Sequence, residues 1–268
     1  MNKIVYLVVT SLLLGVVENA SASLVAYWGF NETDGLTAVD TIGGVNGTLV
    51  GGAAFATTSG ILGGSVQITD GYVNMGNNFP SSATFSIQAW VKLAPGDTSG
   101  MVPVAKHWAG IAQGYFLAIN NIQDGYTQTN TEGFYSANGS YQTAVGGPSV
   151  NDGVWHQLLG VYNNGATSIY VDGGLAGSGS AGYADNSADF MIGGIFNYGG
   201  TPVNAFHGLI DEVKVYDNAL SGSDVIDLYN STINPVPIPG AAWLFGSALI
   251  GLVSFSCRES LKFTHNNE

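Results

Sequence analysis

The chain has 268 residues, of which only 9% are charged, and six Lys plus Arg stand against nineteen Asp plus Glu for a formal net charge of -13. So few cations cannot neutralise a phosphate backbone, which excludes nucleic acid as a partner. The sole cysteine, Cys257, lies in the apolar terminal segment, which excludes a disulfide or a thiolate zinc site in the body between the two ends.

The first element is an address. Lys3 precedes the apolar run Ile4 to Val17, and Ala20, Ser21 and Ala22 form an A-x-A cleavage pattern, so residues 1–22 read as a secretory signal peptide. The run is about 14 residues long, short of the roughly 20 that a spanning helix needs.

Residues 23–234 carry a period of two. Leu24, Ala26, Trp28 and Phe30 share one face of the first strand; Phe85, Ile87, Ala89, Val91 and Leu93 share one face of a later strand, with Ser86, Gln88 and Lys92 on the other. Further strand-like runs are Val66 to Ile68, Tyr72 to Met75, Met101 to Lys106, Tyr115 to Ile119, His156 to Tyr162, Ser168 to Val171, Phe190 to Ile192 and Leu209 to Tyr216. Asp70-Gly71 and Asp172-Gly173 fall between apolar runs and read as hairpin turns, because glycine supplies the positive φ that tight turns require. Only Leu220 to Tyr229 reads as a helix: Ser221 caps it, Asp224 sits in its first turn, and Val225 and Leu228 share a face. About ten strands with Gly-rich turns and hardly any helix call for one all-β domain, a sandwich of two antiparallel sheets.

Residues 235–268 form a second address. Ile238 to Cys257 contains no charge, and at about 1.5 Å per residue it covers roughly 30 Å, enough for a transmembrane helix. Arg258 and Lys262 follow, which keeps the extreme end cytoplasmic while the body is exported.

Two resemblances sharpen this reading. The segments "YWGFNETDGLTAVDTIGGVNGTLVGG", "FSIQAWVKL", "GVWHQLLGVYNNGATSIYVDGGL" and "FHGLIDEVKVYDNALSGSDVIDLY" resemble the LamG-like, concanavalin A-like jelly-roll family. That resemblance implies a scaffold used for sugar binding, adhesion and, in distant relatives, glycoside hydrolysis, so the fold alone does not choose a function. It also implies a structural calcium ion between the opening segment and the closing strand, mapping to Asn31, Asp40 and Asp211 with carbonyls near Gly47. The tail "VPIPGAAWLFGSALIGLVSF" before Arg258 resembles the PEP-CTERM sorting signals of Gram-negative bacteria, through Val236, Pro237, Pro239, Trp243 and Arg258. Val236 to Pro239 replace the family's Pro-Glu-Pro core. This second resemblance implies an exosortase as processing partner, at least transient membrane anchorage, and delivery to the outer envelope, cell surface or matrix.

Catalytic patterns are weak. Hydrolases on this scaffold set carboxylates as E-x-D-x-x-E, and retaining chemistry needs two of them about 5 Å apart. The nearest match offers Glu32 and Asp34 but Thr37 in the third place, and Asp211 and Glu212, being adjacent, point to opposite faces of a regular strand. The G-x-G-x-x-G string at Gly177 to Gly182 is followed by no helical pattern, so it is no dinucleotide fingerprint. His107, His156, His207 and His265 make no metal set. Trp108, Tyr115, Tyr126, Tyr135 and Tyr141 stand among Asn, Gln and Thr. Sugars suit that mixture, since their apolar faces stack on rings while their hydroxyls bond to amides. Trp28, Trp90 and Trp155 follow strand patterns and read as core or sheet-face residues, not as ligand platforms. The sequence thus points to a secreted, non-catalytic binding protein for polysaccharide or matrix components. The alternatives are a purely structural surface protein with an acidic, soluble coat and, behind it, a glycoside hydrolase.

Overall fold

The computed structural model describes residues 22–79, 82–109, 113–120, 122–123, 126–127, 131–139, 141–197, 201–203 and 205–235. The expected signal peptide up to Ser21 and the expected sorting signal with Val236, Pro237, Pro239, Trp243 and Arg258 lie outside them. Among the described residues no helix is long and apolar enough to cross a membrane.

The strands are β1 (Leu24–Trp28), β2 (Thr37–Ala38), β3 (Gly47–Ala56), β4 (Ser65–Asn74), β5 (Thr84–Lys92) and β6 (Met101–Ala109). Then come β7 (Gln113–Ile119), β8 (Ile122–Gln123), β9 (Tyr126–Thr127), β10 (Glu132–Asn138), β11 (Tyr141–Gly146) and β12 (His156–Asn163). The last are β13 (Ala166–Val171), β14 (Gly174–Ser180), β15 (Phe190–Ile192), β16 (Ile195–Asn197), β17 (Pro202–Val203) and β18 (Gly208–Tyr216), followed by the helix α1 (Gly222–Ile233). One hydrogen-bonded path runs β11-β10-β7-β6-β15-β4-β18-β5-β12-β13-β14, and it folds over so that β7 and β10 lie across from β5, β12 and β13. This is the expected all-β jelly-roll sandwich.

The two ends of the path, β11 and β14, come side by side. A Cβ on Gly177 would lie 2.2 Å from the Val145 carbonyl oxygen, and one on Gly179 would lie 2.4 Å from that of Thr143. The glycine string that mimics a dinucleotide fingerprint therefore serves a close backbone approach that nearly closes the sheet.

Between the layers sits an aromatic core. Trp28 is wholly buried and stacked 5.8 Å from Phe190, while Phe85 meets Tyr162 at 5.3 Å and Phe134 at 6.1 Å. Large rings need a small partner opposite, and β12 provides it. A Cβ on Gly160 would stand 2.3 Å from a ring carbon of Phe134 across the sandwich.

The polar alternates of β5 do not face water. Ser86 and Gln88 are wholly buried. The Ser86 hydroxyl donates to the Asn218 carbonyl at 3.0 Å and accepts from the Leu220 N–H at 2.9 Å. Gln88 donates to the Glu212 carbonyl at 3.2 Å and accepts from the Gln157 amide at 3.0 Å. Helix α1 is laid over this face: Trp90 stacks on Tyr229 with centroids 5.6 Å apart, and Val225 and Leu220 pack with Leu159, Val161 and Tyr216. Its start is the expected one, a capping box in which the Ser221 hydroxyl accepts from the Asp224 N–H and the Asp224 carboxylate accepts from the Ser221 N–H.

Of the two expected hairpin turns, one is present. Asp172 and Gly173, with φ of 50° and 78°, join β13 to β14. Asp70-Gly71 instead lies inside β4, opposite a bulge of β3 between Gly51 and Ala53, so the two short runs expected around it are one ten-residue strand.

Replacing Gly160 by Ala forces the Phe134 ring or the strand to shift, so Gly160→Ala is expected to lower unfolding free energy by about 1–3 kcal/mol. Urea denaturation measures this, and an unchanged midpoint would remove the contact from the account.

Candidate ligand-binding face

The site begins with the register of a short parallel pair. β16 lies alongside β6 so that Phe196 sits opposite Trp108. Their rings are 5.9 Å apart and inclined by 33°, and Phe196 in turn meets Tyr72 of β4 edge-on at 5.4 Å and 80°. All three side chains are half-buried, with part of each left to solvent. The hairpin from β16 to β17 holds Phe196 in place: the Thr201 N–H donates to Asn197 Oδ1 at 2.9 Å, and the Asn197 N–H donates to the Thr201 carbonyl at 2.8 Å. Beneath it, Ile195 and Val203 pack on Val102, Ala105, Phe116, Ala118 and Tyr135. The result is a contiguous aromatic platform carried by packed strands.

The other aromatic residues named from the sequence divide. Tyr115 is only 2% exposed, because the alternation of β7 turns it inward opposite Lys106. There it packs 4.7 Å from Phe85 and 5.8 Å from Tyr183, and its hydroxyl donates to the Phe79 carbonyl. Tyr135 is 1% exposed and stacked on Phe116 at 4.4 Å, since the outer face of β7 and β10 is itself covered. Neither is an exposed ring, which corrects the expectation for both. Tyr126 lies in β9, and Tyr141 lies in β11 opposite Ala137; their side chains are outside the described residues. Sequence reasoning missed Phe196 and Tyr72 as platform members. A three-residue strand shows no periodicity, and Tyr72 read simply as a strand residue.

The residues named for calcium also divide. Asp40 is spent on its own turn: its two oxygens accept the N–H groups of Tyr27, Ile42, Gly43 and Val45 at 2.9–3.0 Å. At Gly47 a Cβ would lie 2.7 Å from Val73 Cγ1 and 3.1 Å from Met75 Cε, so the position leaves no room for a side chain. Asn31 and Asp211, by contrast, converge on the loop at residues 60–64. Asn31 Oδ1 accepts from Gly64, and Asp211 Oδ2 accepts from Ile61 and Leu62. Side-chain methyls are excluded there, because a Cβ on Gly63 would lie 2.3 Å from Asn31 Oδ1 and one on Gly60 would lie 2.7 Å from Asp211 Oδ2 and 1.8 Å from the Gly64 carbonyl oxygen. The two side chains are oxygen donors of the type a hard cation takes, and both oxygens already accept backbone N–H groups. Among the described residues no three His, Cys, Asp or Glu side chains gather around one point.

Several of the other acids and histidines have structural surroundings that account for them. Glu32 accepts from the Val39 N–H at 2.7 Å. Glu212 accepts from the Tyr27 hydroxyl and pairs with Lys214 at 2.9 Å. His156 bridges Asp172 at 2.7 Å and Asp152 at 3.1 Å, and the hydrogen bond to Asp172 chiefly raises its pKa. His107 packs on Phe116 and is pushed down to about 4 by desolvation. Glu132, wholly buried at the start of β10, is pushed up to about 7 by desolvation, with the N–H groups of Asn120 and Val150 pulling the other way.

The fold places the chain among the jelly-roll sandwiches. Residues 63–226 match the family described as the concanavalin A-like lectin/glucanases superfamily, and the chain belongs to it. No curated protein matches the sequence. Among solved structures it is similar to domain 4 of AbnA, an extracellular GH43 arabinanase from Geobacillus stearothermophilus, in complex with arabinotriose. The identity is 23% and the TM-score 0.60, over 78% of this chain and 98% of that one. It is also similar to the binding domain of Paraclostridial Mosquitocidal Protein 1 (15% identity, TM-score 0.61, 79% of this chain and 52% of that one). The botulinum neurotoxin type G receptor binding domain is similar at 13% identity and TM-score 0.56, over 77% of this chain and 51% of that one. The chain thus spans about half the length of the toxin domains. At these identities the likeness concerns the fold.

Glu132 supplies a pH test. Its carboxyl ionises near 4.5 when unfolded and about 7 when folded. Its favourable contribution is therefore complete below about pH 4.5 and is lost as pH rises through 7, on the order of 2–3 kcal/mol in all. Glu132→Gln is expected to raise the melting temperature at pH 8 relative to the parent and to leave the gap much smaller at pH 4. Parallel melting curves at both pH values would contradict this.

Proposed function

We propose that this is an exported, non-catalytic carbohydrate-binding protein of the cell envelope. The observation that carries the reading is the contiguous, partly exposed ring cluster of Tyr72, Phe196 and Trp108 on a rigid sheet, the kind of surface on which the apolar face of a sugar stacks. The AbnA domain, similar in fold, is named as a complex with arabinotriose, and the toxin domains are named for binding. Carboxylates that a hydrolase would need are instead committed to backbone and side-chain partners at Glu32, Asp211 and Glu212. A purely structural surface protein remains the alternative reading. Its acidic coat would serve spacing and solubility, and it would bind no glycan. On a glycan array, Trp108→Ala is expected to lose at least about tenfold in affinity, equivalent to about 1.4 kcal/mol; retention of full binding would sink the platform.

Export rests on the leader at residues 1–22, and envelope retention on the uncharged run Ile238 to Cys257 with its PEP-CTERM-like residues. An exosortase is the processing partner that this reading implies. For calcium, Asn31 and Asp211 would hold the ion, whose chemistry there is to cross-link the opening segment to the closing strand. Calcium at ten times its dissociation constant adds about 1.4 kcal/mol, so EDTA is expected to lower the melting temperature by about 3–5 °C. An unchanged melting curve would rule the ion out.

A further inference from the structure

We infer that the ligand of the Tyr72–Phe196–Trp108 platform is an uncharged polysaccharide taken as a single, soluble chain, neither a polyanion nor a crystalline surface. The inference rests on the carbohydrate-binding reading above and narrows its substrate class by two independent observations.

The first is charge. Between residues 23 and 234 the only Lys or Arg residues are Lys92, Lys106 and Lys214. Lys106 is wholly buried, its Nζ donating to Asn77 Oδ1 at 2.6 Å and to the Ala188 carbonyl at 2.9 Å. Lys214 is tied to Glu212 at 2.9 Å. A uronate or sulfate chain needs repeated cationic partners along its length, ideally the bidentate fork of arginine, and this body contains no arginine at all. The acidic excess repels such a chain before contact.

The second is the relative tilt of the rings. A flat crystalline face rests on several rings only when those rings lie in one plane. Here Tyr72 and Phe196 are inclined by 80°, and Phe196 and Trp108 by 33°. Successive faces turn away from one another, so only a chain free to twist about its glycosidic bonds can follow them. The rings are set by strand pairing and by the β16–β17 hairpin, which makes this twist a fixed property of the site.

Affinity electrophoresis of the purified chain tests the inference against three groups of probes: soluble arabinan, galactan and xylan; alginate and polygalacturonate; and, by sedimentation, microcrystalline cellulose. Retardation is expected with at least one neutral soluble glycan, unchanged between 0.05 and about 0.5 M NaCl, since no counterions are released. Tyr72→Ala, Phe196→Ala and Trp108→Ala should each weaken it about tenfold with circular dichroism unchanged, and Phe196→Tyr should retain it. Salt-sensitive binding to alginate or polygalacturonate, or sedimentation with cellulose, would overturn the inference while leaving carbohydrate binding intact. Failure with every probe would overturn the carbohydrate reading itself, and the inference with it.

Discussion

The break in the register of β18 between Asp211 and Lys214 is the constraint on which the sandwich depends. In a regular strand the adjacent carboxylates Asp211 and Glu212 would point to opposite faces. Here Glu212 takes a left-handed backbone with φ of 51°, a conformation that costs about 1–3 kcal/mol for a side-chain-bearing residue. The compensation is visible in the bonds that follow. Asp211 accepts from Ile61 and Leu62, and Glu212 accepts from the Tyr27 hydroxyl and holds Lys214, whose ammonium lies 5.0 Å above the Tyr27 ring. Hydrogen bonds to charged groups contribute about 1.5–3 kcal/mol each, so the bonds made by Glu212 offset a strain of this size, while desolvation pushes the Asp211 carboxyl up to about 8. One irregular strand thereby fastens β1, the 60–64 loop and, through the Glu212 carbonyl and Gln88, β5.

That fastening separates two kinds of aromatic residue. Rings turned inward, such as Trp28, Phe85, Tyr115 and Phe134, fill the space between the layers and depend on small residues opposite them, as at Gly160. Outward rings meet different covers. Trp90 is closed off by α1 and Tyr229, and Tyr135 is buried in a cluster that includes Ile195 and Val203, while Tyr72, Phe196 and Trp108 stay partly open where a short hairpin meets the edge of β6. A rigid display of this kind loses little conformational entropy on binding, which favours weak, stacking-driven recognition. The superfamily joins many functions to one scaffold, so this rim and the charge around it, not the fold, distinguish the chain.

Much of the fold was legible in the sequence because it rests on local chemistry. The alternation of Phe85 to Leu93 gave β5 and its inward face, Asp172-Gly173 gave the turn, and Ser221 with Asp224 gave the start of α1. Long-range packing was not legible. Asp70-Gly71 has turn chemistry, yet the bulge of β3 opposite it absorbs the irregularity and the strand continues. Ser86 and Gln88 look like a solvent face, but Ser86 is bonded to the chain leading into α1 and Gln88 to residues of β12 and β18, all distant in sequence. For the same reason only Trp108 among the sequence-named aromatics whose side chains are described stands on the platform. Whether a ring is covered depends on what lies above the sheet, and Tyr115 and Tyr135 carry no local mark of that. Asp40 has the residue type of a calcium ligand, while its placement two residues before Ile42 and five before Val45 makes it the clamp of its own turn.

The central claim is that a preformed, twisted aromatic rim receives the ligand. Aromatic NMR spectra recorded during titration with a soluble neutral glycan test it most directly. The account predicts that resonances of Tyr72, Phe196 and Trp108 shift together while those of Trp90 and Tyr229, on the helix-covered face, stay fixed. Shifts centred on Trp90 and Tyr229 with an undisturbed rim would contradict it.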